Sequence, residues 1–109
     1  MAQFDVHRNK GALRESIPFV VLVQSAQFDR YRRRMVVPLV RRSVWPGNTP
    51  TVGSRMNPAF QVEGIDVVLH PLDMVSVALD QLGEHVWSLA DQGQAIADAL
   101  DELLTRSWG

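Results

Sequence analysis

Apolar residues fall in short runs and alternations through most of the chain and shift to a helical spacing at its end. Phe19 to Gln24, Phe-Val-Val-Leu-Val-Gln, is a β-branched run suited to a strand buried on both faces, and Met35 to Val40 forms a second. Pro38 interrupts the latter. A proline cannot donate to a sheet ladder, so this strand is expected at an edge, a bulge or an interface. Phe60-Gln61-Val62-Glu63 alternates, Gly64 marks a turn and Ile65 to Leu69 resumes, which predicts a hairpin. Leu72 to Leu79 supplies a further strand. Leu82, Val86 and Leu89 recur at spacings of four and three, which predicts a short helical segment.

The final stretch is the clearest. Stepping about 100° per residue from Ile96 places Leu100 at about 40°, Leu103 at about 340° and Leu104 at about 80°. Asp98, Asp101, Glu102 and Thr105 take the opposite side, so an amphipathic helix is predicted, with Asp91 as its cap. Trp108 falls at about 120°, on the flank between the apolar stripe and the acidic face. An aromatic in that position calls for a partner. From Val44 to Pro58 the chain is dense in turn formers and reads as one long connection, in which Trp45 clamps a turn. Trp87 is expected in core or dimer packing. Five or so short strands followed by a helix predict a single domain over residues 1–109, mostly β with a C-terminal α-helix, as a small, mostly antiparallel barrel or curled sheet.

Composition narrows the chemistry. The 109 residues contain no cysteine, which removes disulfides and thiolate metal sites and suits a reducing cytoplasm. No long apolar run suggests a membrane span, and the start lacks the pattern of a signal peptide. The net charge of −1 conceals an asymmetry: residues 1–59 hold ten Lys and Arg against three acids, and residues 60–109 hold one Arg against nine acids. Arg30, Arg32, Arg33, Arg34, Arg41 and Arg42 crowd together and could bind phosphate or an acidic protein segment, although pairing with the chain's own acidic half is the simpler expectation. His7, His70 and His85 share no short spacing, so no metal site is predicted, and no glycine-rich phosphate loop or nucleophile elbow occurs. The one catalytic arrangement worth testing is His70 with Asp73 and an arginine of the basic cluster, which would suit RNA cleavage.

Several stretches occur together and in order: Gln3-Phe4-Asp5-Val6, Val23-Gln24-Ser25, Arg33-Arg34-Met35-Val36-Val37-Pro38-Leu39, Leu72-Asp73-Met74-Val75-Ser76-Val77, Leu82-Gly83-Glu84-His85-Val86, and the closing helix through Ala99-Leu100 to Trp108-Gly109. Together they resemble CcdB, the toxin family of a bacterial toxin–antitoxin pair. The resemblance implies an SH3-like barrel of the type shared with the MazF and Kid toxins, forming a two-fold homodimer without a cofactor. It implies a toxin that is not itself an enzyme, binding the A subunit of DNA gyrase and trapping the cleaved-DNA complex in the cytoplasm. Trp108 and Gly109 match the Trp-Gly of the family's poisoning end, reached here after a three-residue extension and without the aliphatic residue that follows in the family. An isoleucine pair of the poisoning surface corresponds to Gln27 and Phe28, of which Phe28 is apolar, and a helix asparagine corresponds to Asp101. A CcdA-like antitoxin would be recognised around Arg8, Lys10 and Arg14, in a loop containing Gly11, and DNA would be met only through the antitoxin complex. The alternatives are a MazF- or Kid-like endoribonuclease using His70 and Asp73, and a relative that keeps antitoxin binding without poisoning gyrase.

Overall fold

The computed structural model describes residues 1–46 and 52–105. Among these are seven strands, β1 (Asp5–Asn9), β2 (Phe19–Leu22), β3 (Arg33–Arg41), β4 (Ala59–Val62), β5 (Ile65–Leu69), β6 (Val75–Ala78) and β7 (Leu82–Ser88), and one helix, α1 (Gly93–Leu104). All pairings are antiparallel, in the order β4-β5-β3-β2-β1-β7, with β6 added beside β3. The sheet curls into a half-barrel, and α1 closes its apolar side. Val6, Phe19, Val21, Val37, Leu39, Phe60, Val67 and Leu69 from the strands meet Leu89, Ile96 and Ala99 in one core. The mostly β fold with a C-terminal helix agrees with the sequence pattern.

The expected hairpin is present. Val62 pairs with Ile65, and Glu63 and Gly64 both adopt positive φ, 51° and 79°, as a tight turn whose twist matches the strands requires.

β3 departs from expectation, because it is the central strand rather than an edge. β2 lies along one side of it; the other side is divided between β6, which takes Arg33 to Val36, and β5, which takes Leu39 to Arg41. The Met35 carbonyl and the Arg41 amide both face the β2 side, where they bond Val23 and Ser16. By alternation the Pro38 amide position faces the divided side, in the gap between β6 and β5. The proline therefore costs no ladder bond, and its carbonyl accepts the His70 N–H at 3.1 Å as the chain turns from β5 towards β6. The expected strand over Leu72 to Leu79 is correspondingly shorter, with one 3-10 turn at Pro71–Asp73 before β6 and another at Leu79–Gln81 after it.

The segment expected to be helical after Leu82 is strand β7. Gly83 disfavours a helix, Val86 and Trp87 favour a strand, and an apolar spacing of four satisfies a two-residue period as well as a helical one. β7 pairs with β1, itself unmarked in the sequence pattern because a histidine, His7, occupies one of its two buried positions. Trp87 is 47% exposed and outside the core. α1 starts at Gly93, after a turn at Ala90–Gln92, so Asp91 does not cap it; the Ser88 hydroxyl instead accepts the Ala90 N–H at 3.2 Å and starts that turn.

Irregular register lets the seven residues of β7 follow the five of β1, and the two strands touch most closely at Gly83. A side chain there would put its Cβ 2.5 Å from the Arg8 carbonyl oxygen and 2.9 Å from the Arg8 Cβ. The same glycine carbonyl lies 3.0 Å from His7 Nδ1, which fixes the proton on that nitrogen. Backbone cannot yield to the intruding methyl, so Gly83→Ala is expected to destabilise the fold by about 1–3 kcal/mol. Urea denaturation of the two proteins, with a lowered midpoint and an unchanged slope, is the measurement that checks it.

Candidate functional site

Three surfaces carry the residues singled out in the sequence. The first follows β2. Arg34 of β3 is 1% exposed, and its guanidinium is surrounded by acceptors from the preceding turn: Nη1 donates to Asp29 Oδ1 at 2.6 Å, Nη2 to the carbonyls of Gln24 and Ser25 at 3.1 and 3.0 Å, and Nε to Gln24 Oε1 at 3.3 Å. Asp29 Oδ2 takes the N-terminal ammonium of Met1 at 2.8 Å. That ammonium, followed by Arg34, holds the Asp29 carboxyl below the usual carboxylate range. Phe28 closes the 3-10 turn Ala26–Phe28, half-buried, with its ring centroid 5.9 Å from that of Tyr31. Gln27 beside it is exposed. Phe28 thus sits on a turn pinned from beneath.

The second surface is the acidic face of α1. Arg55 reaches it from the connection before β4 and meets three carboxylates, Asp98 at 3.8 Å, Asp101 at 3.3 Å and Glu102 at 3.2 Å. The loop carrying Arg55 is itself fastened to the sheet by Asn57, which is 2% exposed and donates from Nδ2 to the Leu69 carbonyl at 3.1 Å. The Thr105 hydroxyl bonds Asp101 through both its carbonyl and its carboxylate. Leu104, placed on the apolar stripe by the helical count, is 63% exposed instead. Trp108 and Gly109 lie outside the described residues.

The third surface holds Arg8, Lys10 and Arg14. Arg8 is not in a loop; it belongs to β1 and is engaged by Glu63 at 2.8 Å and Glu84 at 2.7 Å. Hydrogen bonding to Glu84 is the main cause of its raised pKa, so it stays charged. Lys10 and Arg14 are in the loop, and among the described residues their hydrogen bonds go to backbone carbonyls, of Asp80 in the β6–β7 turn at 3.0 Å and of Gly11 at 3.4 Å. Beside this loop is an apolar hollow of about 240 Å³ that includes Leu13, Ile17, Pro38 and Val75.

The basic cluster does not pair with the acidic half of the chain. Its only ion pair among the described residues joins Arg34 to Asp29, whereas Glu63 and Glu84 are met by Arg8, and Asp98, Asp101 and Glu102 by Arg55. The cluster also splits in space: β3 separates Arg33, at the end near Arg30 and Arg32, from Arg41 by eight residue steps, about 26 Å of strand. His70 and Asp73 do meet, at 3.3 Å, with Trp45 edge-on to the imidazole at 5.1 Å. The histidine nitrogen not facing Asp73 is buried, and among the described residues no arginine bonds either side chain. A general base needs its free nitrogen within reach of substrate, so this geometry serves a turn better than RNA cleavage. Among the described residues no three His, Cys, Asp or Glu side chains converge to hold a metal ion.

The model of the family described as CcdB protein matches residues 3–106. The chain belongs to the CcdB family. Membership supports a toxin of the toxin–antitoxin type, and the curled sheet with its C-terminal helix is consistent with the CcdB fold. No curated protein sequence matches the chain closely enough to count as a relative. The CcdB-family resemblance singled out Phe28 and Asp101 but not the residues that fix them. Nothing in one dimension separates buried Arg34 from its exposed neighbours, and Arg55 is a lone cation in a turn-rich stretch.

Two expectations follow. Because the folded-state pKa of Asp29 is depressed, its contribution to stability is present above the unfolded value of about 4 and disappears as pH falls through the folded value. Carboxyl carbon NMR is expected to give Asp29 a midpoint below that of ordinary aspartates, and Asp29→Asn is expected to flatten the stability profile in that acid range. Arg55→Ala is expected to speed amide exchange in the last turn of α1, with the wild type approaching the variant as salt is raised, since all four charged side chains are partly exposed.

Proposed function

We propose that this CcdB-family toxin binds the A subunit of DNA gyrase and traps the enzyme with its DNA cleaved, making and breaking no bond itself. Trp108 and Gly109 are the anchoring end, and Phe28 is the second apolar contact. The reading is carried by the family match across nearly the whole chain. It is supported by the way the chain is built around Phe28, which rides on a turn held by a buried arginine, and by the clamp of Arg55 on the acidic face of α1. A large aromatic on a preorganised support binds without a heavy ordering cost, and such an anchor contributes on the order of 2–4 kcal/mol.

A homodimer completes the reading. Leu72, in the turn that packs against α1, and Leu104 of α1 are 64% and 63% exposed, an apolar pair suited to cover by a second copy. Two-fold symmetry would let both subunits of a symmetric target be engaged together. A CcdA-like antitoxin binds at Lys10, Arg14 and Arg8, where its acidic chain would find cations beside an apolar hollow. Such a toxin acts in the cytoplasm, and no helix among the described residues is long and apolar enough to cross a membrane.

With purified protein, gyrase, supercoiled plasmid and ATP, linear DNA is expected to accumulate. Trp108→Ala is expected to abolish it while leaving thermal stability and oligomeric state unchanged. Linear DNA produced equally well by the variant would remove Trp108 from the poisoning end, and loss of folding in the variant would make the residue structural.

A further inference from the structure

The turn between β2 and β3 carries three consecutive exposed residues, Arg30, Tyr31 and Arg32. Tyr31 is 56% exposed, and among the described residues neither arginine side chain makes a hydrogen bond or ion pair. Their neighbours are otherwise committed: Arg33 donates to the Ser76 hydroxyl at 2.9 Å and to its carbonyl at 2.6 Å, and Arg34 is buried against Asp29. Asp29, the acid beside the turn, is already shared by the N-terminal ammonium and Arg34. Asp80 borders a hollow with Arg32 but does not pair with it. Two uncommitted guanidinium groups therefore flank Tyr31, whose exposed ring rests beside Phe28 on the turn.

That turn is not loose. The Tyr31 N–H donates to the Phe28 carbonyl at 3.0 Å, the Arg32 carbonyl accepts the Leu79 N–H at 3.0 Å, and Arg34 ties down Gln24, Ser25 and Asp29. Charges held apart from any internal partner on a fixed support are preorganised for an external anion. We propose that Arg30-Tyr31-Arg32 is a DNA-contacting tip, in which the two arginines take backbone phosphates of a duplex and Tyr31 lies against a sugar or base between them. Phosphate contacts of this kind position a protein on DNA without reading its sequence. An acidic protein segment would use the two charges, whereas in a duplex backbone the exposed part of the Tyr31 ring, whose other contact is Phe28, also finds a surface, the sugar between two arginine-held phosphates. The proposal rests on the gyrase reading for the source of the DNA, the cleaved segment held in the complex beside Phe28, and it departs from the expectation that the toxin meets DNA only through the antitoxin complex.

The first arm of the test needs no gyrase. A short duplex is added to the full-length protein at low salt, with backbone amide shifts followed by NMR and affinity by fluorescence anisotropy. Shifts are expected at Arg30 to Arg32, and Arg30→Ala/Arg32→Ala is expected to bind at least about tenfold more weakly, with the slope of log affinity against log salt reduced in magnitude by about 1.8 for two lost phosphate contacts. Tyr31→Phe should bind like the wild type and Tyr31→Ala more weakly. The side chains changed are exposed, so the thermal midpoint should hold. Shifts that map elsewhere, or a double variant that binds duplex as the wild type does, overturn the proposal. Loss of affinity for a polyglutamate peptide, with duplex binding intact, also overturns it and assigns the tip to an acidic protein.

The second arm is the gyrase cleavage assay, where the double variant is expected to need several-fold more toxin for the same linear DNA. If wild type gives duplex shifts at the tip but no linear DNA with gyrase, the gyrase reading fails and the tip stands. Linear DNA from wild type and double variant at equal toxin concentration would instead leave the gyrase reading intact and overturn the tip.

Discussion

Arg34 brings a full positive charge into the interior of a small sheet and satisfies it with groups no more than ten positions earlier in the chain. A buried guanidinium with missing acceptors would cost several kcal/mol, and removing one partner of a fully buried pair costs about 3–5 kcal/mol. Asp29 is 41% exposed, so water already screens its share, and the neutral carbonyls of Gln24 and Ser25 carry much of the work of solvating the charge. The geometry of the turn is dictated as a result. The chain cannot leave β2 in any direction that withdraws those carbonyls, and Phe28, Tyr31 and the exposed arginines are placed as a consequence. The N-terminus is drawn into the same arrangement through Asp29.

The two ion-pair systems divide the labour of the charge asymmetry. Arg8 draws the β4–β5 hairpin and β7 towards β1 through Glu63 and Glu84, and Arg55 draws α1 onto the connection before β4. Each contact is exposed and individually weak. Both nevertheless bridge elements distant in sequence, so they bias the arrangement of parts more than they raise total stability. Among the described residues Arg30, Arg32 and Arg42 make no internal ion pair, which is why the basic half retains a usable external charge.

Periodicity revealed those elements whose apolar residues answer to a single face or a continuous run. β2, β3, the β4–β5 hairpin and the centre of α1 were legible for that reason. β1 lacks such a pattern, because His7 is buried through a hydrogen bond to Gly83 rather than through hydrophobicity, and its partner β7 has a helix-like apolar spacing because four is a multiple of two. Pro38 cannot donate, and of the edge, bulge or interface positions this implies the structure excludes the edge: a central strand can still offer an unpaired position where two partners meet end to end on one side. At the site, residue identities were legible through family resemblance. Their supports, Arg34, Asn57 and Arg55, depend on contacts between distant segments and leave no local pattern.

The pairing of Asp5 with Ser88 joins the first strand residue to the last. During synthesis β1 can gain β2 early, yet its outer side stays vacant until β7 has left the ribosome, and Leu89, Ile96 and Ala99, which seal the core, arrive later still. Topology thus delays completion of the fold until β7 and α1 have emerged. A nascent chain that stops before them is an open sheet lacking its helix rather than a shortened but working molecule.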